Sequence, residues 1–402
     1  MKVRIAILGY GKRGAIYANY ASRHPEEFEV VTVAEIDPVK REIARAEHNC
    51  PVFEDWKEML ASPLQADIVA VATQDQDHPE HAVACMEKGF DVLLEKPIAT
   101  TAEGCQEILS ASKKYGRKVI VCHVLRYTPF YSKVKEIMDS GVLGDVTAVY
   151  TSENVGFYHQ AHSFVRGPWG NKETSSPMIL AKCCHDMDLL YWLIGKKCER
   201  VASFGSLSYF KEENAPENSA RYCADCTADC IYKAQDLYKK YRWMAGYFTT
   251  DTEWRKVKRQ LAHSQYDRCV FRCGNDVVDH QACVFLFEGG ITASHTMDAF
   301  SRDIYRDIKV HGTKAELVGV MEKNFLEIRP FVGKVQRIAI DKTLATGGHG
   351  GGDDGLMNEL YKSYNGLPTK HLTYLEESIE SHKMAFAAET ARVSAQTVDL
   401  RQ

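Results

Sequence analysis

Two residues have the type and setting to handle a proton at an alcohol oxygen. His185 carries the side chain that titrates nearest neutrality, and it stands in an apolar stretch expected to be helical. Lys96 follows a buried apolar run and precedes Pro97, so it could donate to a reacting oxygen, with its pKa lowered where desolvated. Lys182 lies one turn before His185 and could orient that ring or grip a substrate hydroxyl or carboxylate. Plainer readings stand beside these: His185 as a helix histidine bonded to structure, Lys96 as a snorkelling surface lysine, Lys182 as a structural cation. A fourth candidate, His349, sits among six glycines (347, 348, 350, 351, 352 and 355) with Asp353 and Asp354. That stretch reads either as a mobile loop that brings His349 to a polar ligand or as a solvated linker.

Something must also accept what the alcohol gives up, and the first residues of the chain are built for that. Val3, Ile5, Ile7 and Leu8 form a short apolar run that turns through Gly9-Tyr10-Gly11-Lys12-Arg13-Gly14 into a helix. The first glycine permits the turn, the second lets backbone approach a pyrophosphate, and the third allows close packing of helix on strand. A second run, 30–33, ends at Glu35, placed to bind a ribose hydroxyl, which points to NAD over NADP. Further apolar runs at 66–72, 91–94 and 118–122 alternate with helical stretches. Thr73, His78, Glu95, Lys96 and His123 fall just past strand ends, where ligands collect in open α/β sheets.

Past His123 the pattern changes. A helix is expected near 130–140, a strand at 146–151, and one long helix over 177–194 with Ser176 as N-cap and Gly195 at its end. A hairpin turning at Gly289 and Gly290 and strands near 306–310 and 315–320 follow. A polar, aromatic-rich segment, 209–274, looks inserted, with helices near 231–244 and 252–263. The fold class expected is α/β: an N-terminal Rossmann doubly wound parallel sheet over 1–123, then an α+β domain over 124–402 with an open, mostly antiparallel sheet.

With Gly9 to Gly14, Glu95-Lys96-Pro97, Arg126-Tyr127 and Cys184-His185-Asp186-Met187-Asp188 in view, the chain resembles the glucose–fructose oxidoreductase / inositol dehydrogenase / rhizopine catabolism (Gfo/Idh/MocA) family. The resemblance covers nearly the whole chain outside the insert. It implies a Rossmann domain that binds NAD, Lys96 and His185 at the reacting centre, Arg126 among the cofactor contacts, a substrate site carried by the second domain, and dimers or tetramers formed through the outer sheet face. One departure matters: the aspartate often found four residues before the matching histidine is Ala181 here.

A formal charge of −4 without a basic run argues against a nucleic-acid partner, and no apolar stretch is long enough for a membrane span. Thirteen cysteines without an export pattern suggest reduced thiols and a cytoplasmic setting. Five of them, Cys223, Cys226, Cys230, Cys269 and Cys273, belong to the insert; their spacing matches no familiar metal motif, and packing with no metal is the expectation. The function expected is NAD-dependent oxidation of a secondary alcohol of a sugar, glycoside or polyol. The alternative is a redox-neutral glycoside hydrolase that oxidises, eliminates, hydrates and re-reduces.

Overall fold

The computed structural model describes every residue except Lys342, Thr346, Gly347, His371 and Gln402; the expectation at Gly347 lies outside the described residues. Two sheets dominate. The first is built from β1 (Val3–Leu8), β2 (Phe28–Ala34), β3 (Val52–Phe53), β4 (Ile68–Val71), β5 (Asp91–Leu94) and β6 (Val119–Val121). Their order is β3-β2-β1-β4-β5-β6 and every pairing is parallel. The central strands are buried on both faces, which is why they read as unbroken apolar runs rather than as alternation. Helices α1 (Lys12–Arg23), α2 (Pro38–His48), α3 (Trp56–Ala61), α4 (His78–Glu87) and α5 (Ala102–Tyr115) connect them. This is the doubly wound Rossmann arrangement.

The chain then runs through α6 (Pro129–Asp139), β7 (Val146–Asn154) and a short turn α7 (Phe157–His159), which passes into a π-helix at Gln160–Arg166. Next come α8 (Met178–Ala181), α9 (Cys184–Ile194) and β8 (Cys198–Ser206). The insert contributes α10 (Ala234–Lys240) and α11 (Trp254–Leu261). Strands β9 (His280–Phe287), β10 (Thr292–Asp298), β11 (Tyr305–Gly312), β12 (Ala315–Val320), β13 (Phe325–Pro330) and β14 (Gln336–Arg337) follow. The chain closes with α12 (Gly352–Tyr364), α13 (Leu375–Ser394) and β15 (Val398–Asp399). The second sheet has nine strands in the order β14-β13-β12-β11-β7-β10-β9-β8-β15, antiparallel except where β7 meets β10. Its inner face packs on α9 and α13 in one apolar core.

The C-terminal helices return to the first sheet. Leu356, Met357 and Leu360 of α12 share a core with Val3, Ile5, Ile7 and Tyr17, and Leu375 and Ile379 of α13 join the core on the opposite face. Tyr374 bridges Ile120 at the sheet edge. A cut between 123 and 124 therefore divides the chain without dividing the packing.

The helix expected over 177–194 is interrupted. α8 ends at Ala181, Cys183 has φ −92° and ψ 7°, and α9 begins at Cys184. Ser176 caps neither piece; Pro177 occupies the N-cap position. The interruption has a local cause, because the Lys96 ammonium donates to the Ala181 carbonyl at 3.0 Å, the acceptor a continuous helix would give to residue 185. The insert helices are also shorter than expected, since residues 242–247 form a separate 3-10 turn.

Candidate functional site

The turn from β1 into α1 explains two of its glycines and leaves the third for a ligand. Gly9 has φ +92°, and a Cβ there would stand 2.6 Å from the Ala72 carbonyl oxygen; a Cβ on Gly14 would overlap the Gly9 oxygen at 2.0 Å. Gly11 has extended backbone, and a Cβ there would meet nothing within 4 Å. The protein does not need glycine at 11, whereas a pyrophosphate approaching the first amides of α1 would. Glu35 stands at the end of β2 with one carboxylate oxygen accepting from the Tyr10 N–H at 2.7 Å and the other from the Asp37 N–H at 2.9 Å. These bonds fix a carboxylate where a ribose would lie. Thr73 bonds His81, and the buried His78 donates to the Pro97 carbonyl, so both shape the wall of the cleft. The residues present fit a dinucleotide.

Arg13 and Arg126 are engaged elsewhere. The Arg13 guanidinium bonds Glu95 at 2.6 Å, the Tyr17 hydroxyl at 2.6 Å and Asp353 at 2.7 Å. Burial would raise the Glu95 carboxyl, but the Arg13 charge and the Tyr17 hydroxyl bring it below its ordinary value. Arg126, expected at the cofactor, instead makes a buried two-point contact with Asp188 at 2.6 and 2.7 Å and reaches Glu377 at 3.1 Å. Its donors tie the segment after β6 to α9 and α13.

His185 opens α9 and is 4% exposed, with no hydrogen-bond partner for either ring nitrogen. The His123 and His349 rings flank it with centroids at 5.9 and 5.7 Å. Burial, then the positive charge of Lys96, holds its pKa well below the ordinary value. At neutral pH it is an unprotonated imidazole with lone pair and N–H both unused, which suits a base awaiting a substrate. His349 reaches the same place because its backbone is left-handed, at φ +48°, and Nδ1 faces Asp353 at 3.1 Å. The run Arg13–Asp353–His349–His185 thus links the glycine turn to the base.

Lys182 contacts Glu153 at 3.1 Å rather than His185. Glu153 is fully buried and also pairs with Arg306, whose Nε bonds Asp186 at 2.9 Å. In place of the missing aspartate at position 181, a carboxylate from β7 holds the lysine. Asp75 lies near Lys96 and His78; burial raises its carboxyl, and the Trp169 indole N–H bonds it at 3.2 Å.

The insert forms the remaining wall. Lys12 of the glycine turn points its ammonium at the rings of Trp243 and Tyr247, 4.9 and 5.0 Å from their centroids. His159, at the start of the π-helix, packs edge-on against Trp243. Sequence reasoning missed Trp243, Tyr247 and His159, since nothing in an irregular insert signals that it folds back onto residue 12. Glu153 and Arg306 were missed because the pair is 153 positions apart in the chain.

Comparison with known proteins agrees with this geometry. Residues 3–123 match the GFO_IDH_MocA model, described as an oxidoreductase family NAD-binding Rossmann fold, and 135–383 match the C-terminal alpha/beta domain of the same family. The chain belongs to the Gfo/Idh/MocA oxidoreductase family. It is an NAD-binding oxidoreductase, and its Rossmann domain is the family's cofactor domain. The Bacillus subtilis oxidoreductase YteT is 27% identical over 367 residues, covering 84% of this chain and 83% of its own. An inositol 2-dehydrogenase of Saccharopolyspora erythraea is 28% identical over 198 residues, 49% of this chain and 55% of its own. Among solved structures, levoglucosan dehydrogenase in complex with NADH and levoglucosan superposes with TM-score 0.76 at 16% identity, over the whole of both chains. The WlbA dehydrogenase of Bordetella pertussis in complex with NADH and UDP-GlcNAcA gives 0.73 at 17%, covering 100% of this chain and 98% of its own. Among the described residues no helix is long and apolar enough to cross a membrane.

Proposed function

We propose that this chain oxidises a secondary alcohol of a sugar, glycoside or polyol. The observation that carries the reading is the unpartnered, neutral imidazole of His185, set beside Lys96 at the carboxyl ends of the parallel strands. NAD, when bound, supplies the hydride acceptor. Gly11, the α1 amides and Glu35 hold its phosphates and ribose. His185 takes the hydroxyl proton, and the Lys96 ammonium, parked on the Ala181 carbonyl, turns to the same oxygen. Lys182, held by Glu153, and His349, held by Asp353, grip neighbouring hydroxyls. The sugars and inositol named for the relatives support a polyhydroxylated substrate.

The test is a panel of sugars, glycosides and inositols assayed for NADH formation. Steady NADH production with one class confirms net oxidation. Release of an aglycone with deuterium incorporated beside the oxidised carbon in heavy water, and no net NADH, would replace it with redox-neutral cleavage.

Self-association through the second sheet belongs to the same reading. Tyr150, Val284 and Phe204 are 47, 56 and 71% exposed on its outer face, and Tyr150 and Val284 lie in register through Ser294. We expect a dimer or tetramer by light scattering, dissociated by Phe204→Glu.

A further inference from the structure

The insert holds a cluster that the reaction does not use. Cys223, Cys226, Cys230 and Cys269 line one small cavity together with Arg166 and Lys233. All four are free thiols. The fifth cysteine of the insert, Cys273, does not line it; its thiol donates to the Cys269 carbonyl at 3.1 Å.

The cations at this cavity are the telling feature. Arg166 ends the π-helix and is fully buried. Its Nε donates to the Arg268 carbonyl at 2.7 Å; one terminal nitrogen donates to the Tyr232 carbonyl at 2.7 Å and stands 3.5 Å from the Cys223 sulfur; the other has no partner. Among the described residues no carboxylate lies within 4 Å of it. Asp267, close enough to feel its charge, is taken by the Ala224 N–H and the Gln235 amide. Lys233 donates to the Cys226 carbonyl at 3.1 Å. A fully buried guanidinium whose direct partners are only two carbonyls and a thiol is costly to keep charged. Four neutral thiols supply none, whereas four thiolates around a metal do. A zinc ion with four thiolates carries two net negative charges, as does an oxidised four-iron cluster, and Arg166 and Lys233 balance two.

We propose that Cys223, Cys226, Cys230 and Cys269 ligate a thiophilic metal centre that staples the insert. This reverses the packing expectation drawn from spacing alone. Spacing was uninformative because the fourth ligand comes from the far end of the insert, brought in by the bridge between Tyr222 and Arg268. Among the described residues no three of these sulfurs lie within 4.8 Å of one another, wider than the about 3.8 Å between thiolates on one zinc. A zinc ion would draw them inward, whereas the thiolates of an iron–sulfur cluster stand farther apart than those of one zinc. The centre's consequence for the site runs through the π-helix, which carries Arg166 at the metal end and is preceded at the other by His159, beside Trp243.

Wild-type protein purified anaerobically without added metal should contain about one zinc, or about four irons with as much acid-labile sulfide, per chain. X-ray absorption at that metal's edge should show sulfur ligands. Less than about a tenth of a metal per chain, or a shell of nitrogen and oxygen, overturns the assignment. Cys223→Ser with Cys226→Ser should lose the metal, while Cys273→Ser, outside the cavity, keeps it; retention in the double variant refutes the ligand set. Should the double variant not fold, the wild-type stoichiometry and ligand shell decide alone.

Discussion

His185 is useful as a base because it stays neutral where most histidines begin to charge. Protonating it removes the acceptor, so the rate should fall only when pH drops below its depressed value. We expect kcat/KM to hold steady as pH falls through about 6.5, with the acid limb displaced below that ordinary histidine value. A pH–rate profile with its limb at or above it would remove His185 from the role. His185→Gln and Lys96→Ala should each lower kcat by about a hundredfold or more, with the circular dichroism spectrum preserved. At the cofactor, Glu35 should make NAD bind about tenfold more tightly than NADP, because a 2′-phosphate there meets a fixed carboxylate; equal affinities by calorimetry would contradict the ribose assignment. These residues were readable from sequence because each stands next to an element boundary that a local pattern marks. Asp353 was visible as an acid in a glycine-rich stretch, but its partners Arg13 and His349 became evident only in space.

At the scale of elements, the sheet and the interrupted helix are joined by charge. Glu153 on β7, Arg306 on β11 and Asp186 on α9 form a buried chain that also fixes Lys182. Glu153→Leu strands Lys182, leaves Arg306 with Asp186 alone, and should destabilise the fold by about 3 kcal/mol, read by urea denaturation. The interrupted helix belongs to this scale as well. Apolar periodicity across 177–194 favours one helix, and no local signal announces that Lys96, more than eighty residues earlier, will take one of its carbonyls. The insert shows the same limit: its short helices were located within a few residues, whereas its return onto Lys12 depends on aromatic packing without a period. Trp243→Ala should raise KM about threefold to tenfold while leaving kcat within about twofold, since it removes a wall and a cation–π contact rather than a reacting group.

For the whole molecule, several histidines are held neutral by burial. His123 and His185 lie well below their ordinary pKa, and His162 and His382 are pushed down to about 3. Unfolding returns each to about 6.5. The stability gained by keeping them neutral is complete above that value and is lost as pH falls from it toward the folded values. The melting temperature at pH 4.5 should therefore lie at least about 5 °C below that at pH 7.5. Fold class was legible throughout because buried parallel strands and half-exposed antiparallel ones leave different periods in sequence. The lacing of the two halves was not, because it is carried by apolar residues near 356–379 that read simply as amphipathic helices.

That lacing bears on how the protein is made. A ribosome delivers all six strands of the first sheet long before it delivers α12 and α13, which complete its two cores, and the edge at Ile120 waits for Tyr374. Throughout that interval the nascent chain presents an open apolar face and an unpaired strand edge, the features that recruit chaperones and seed aggregates. The Rossmann half of this enzyme is thus synthesised well before the two helices that finish it.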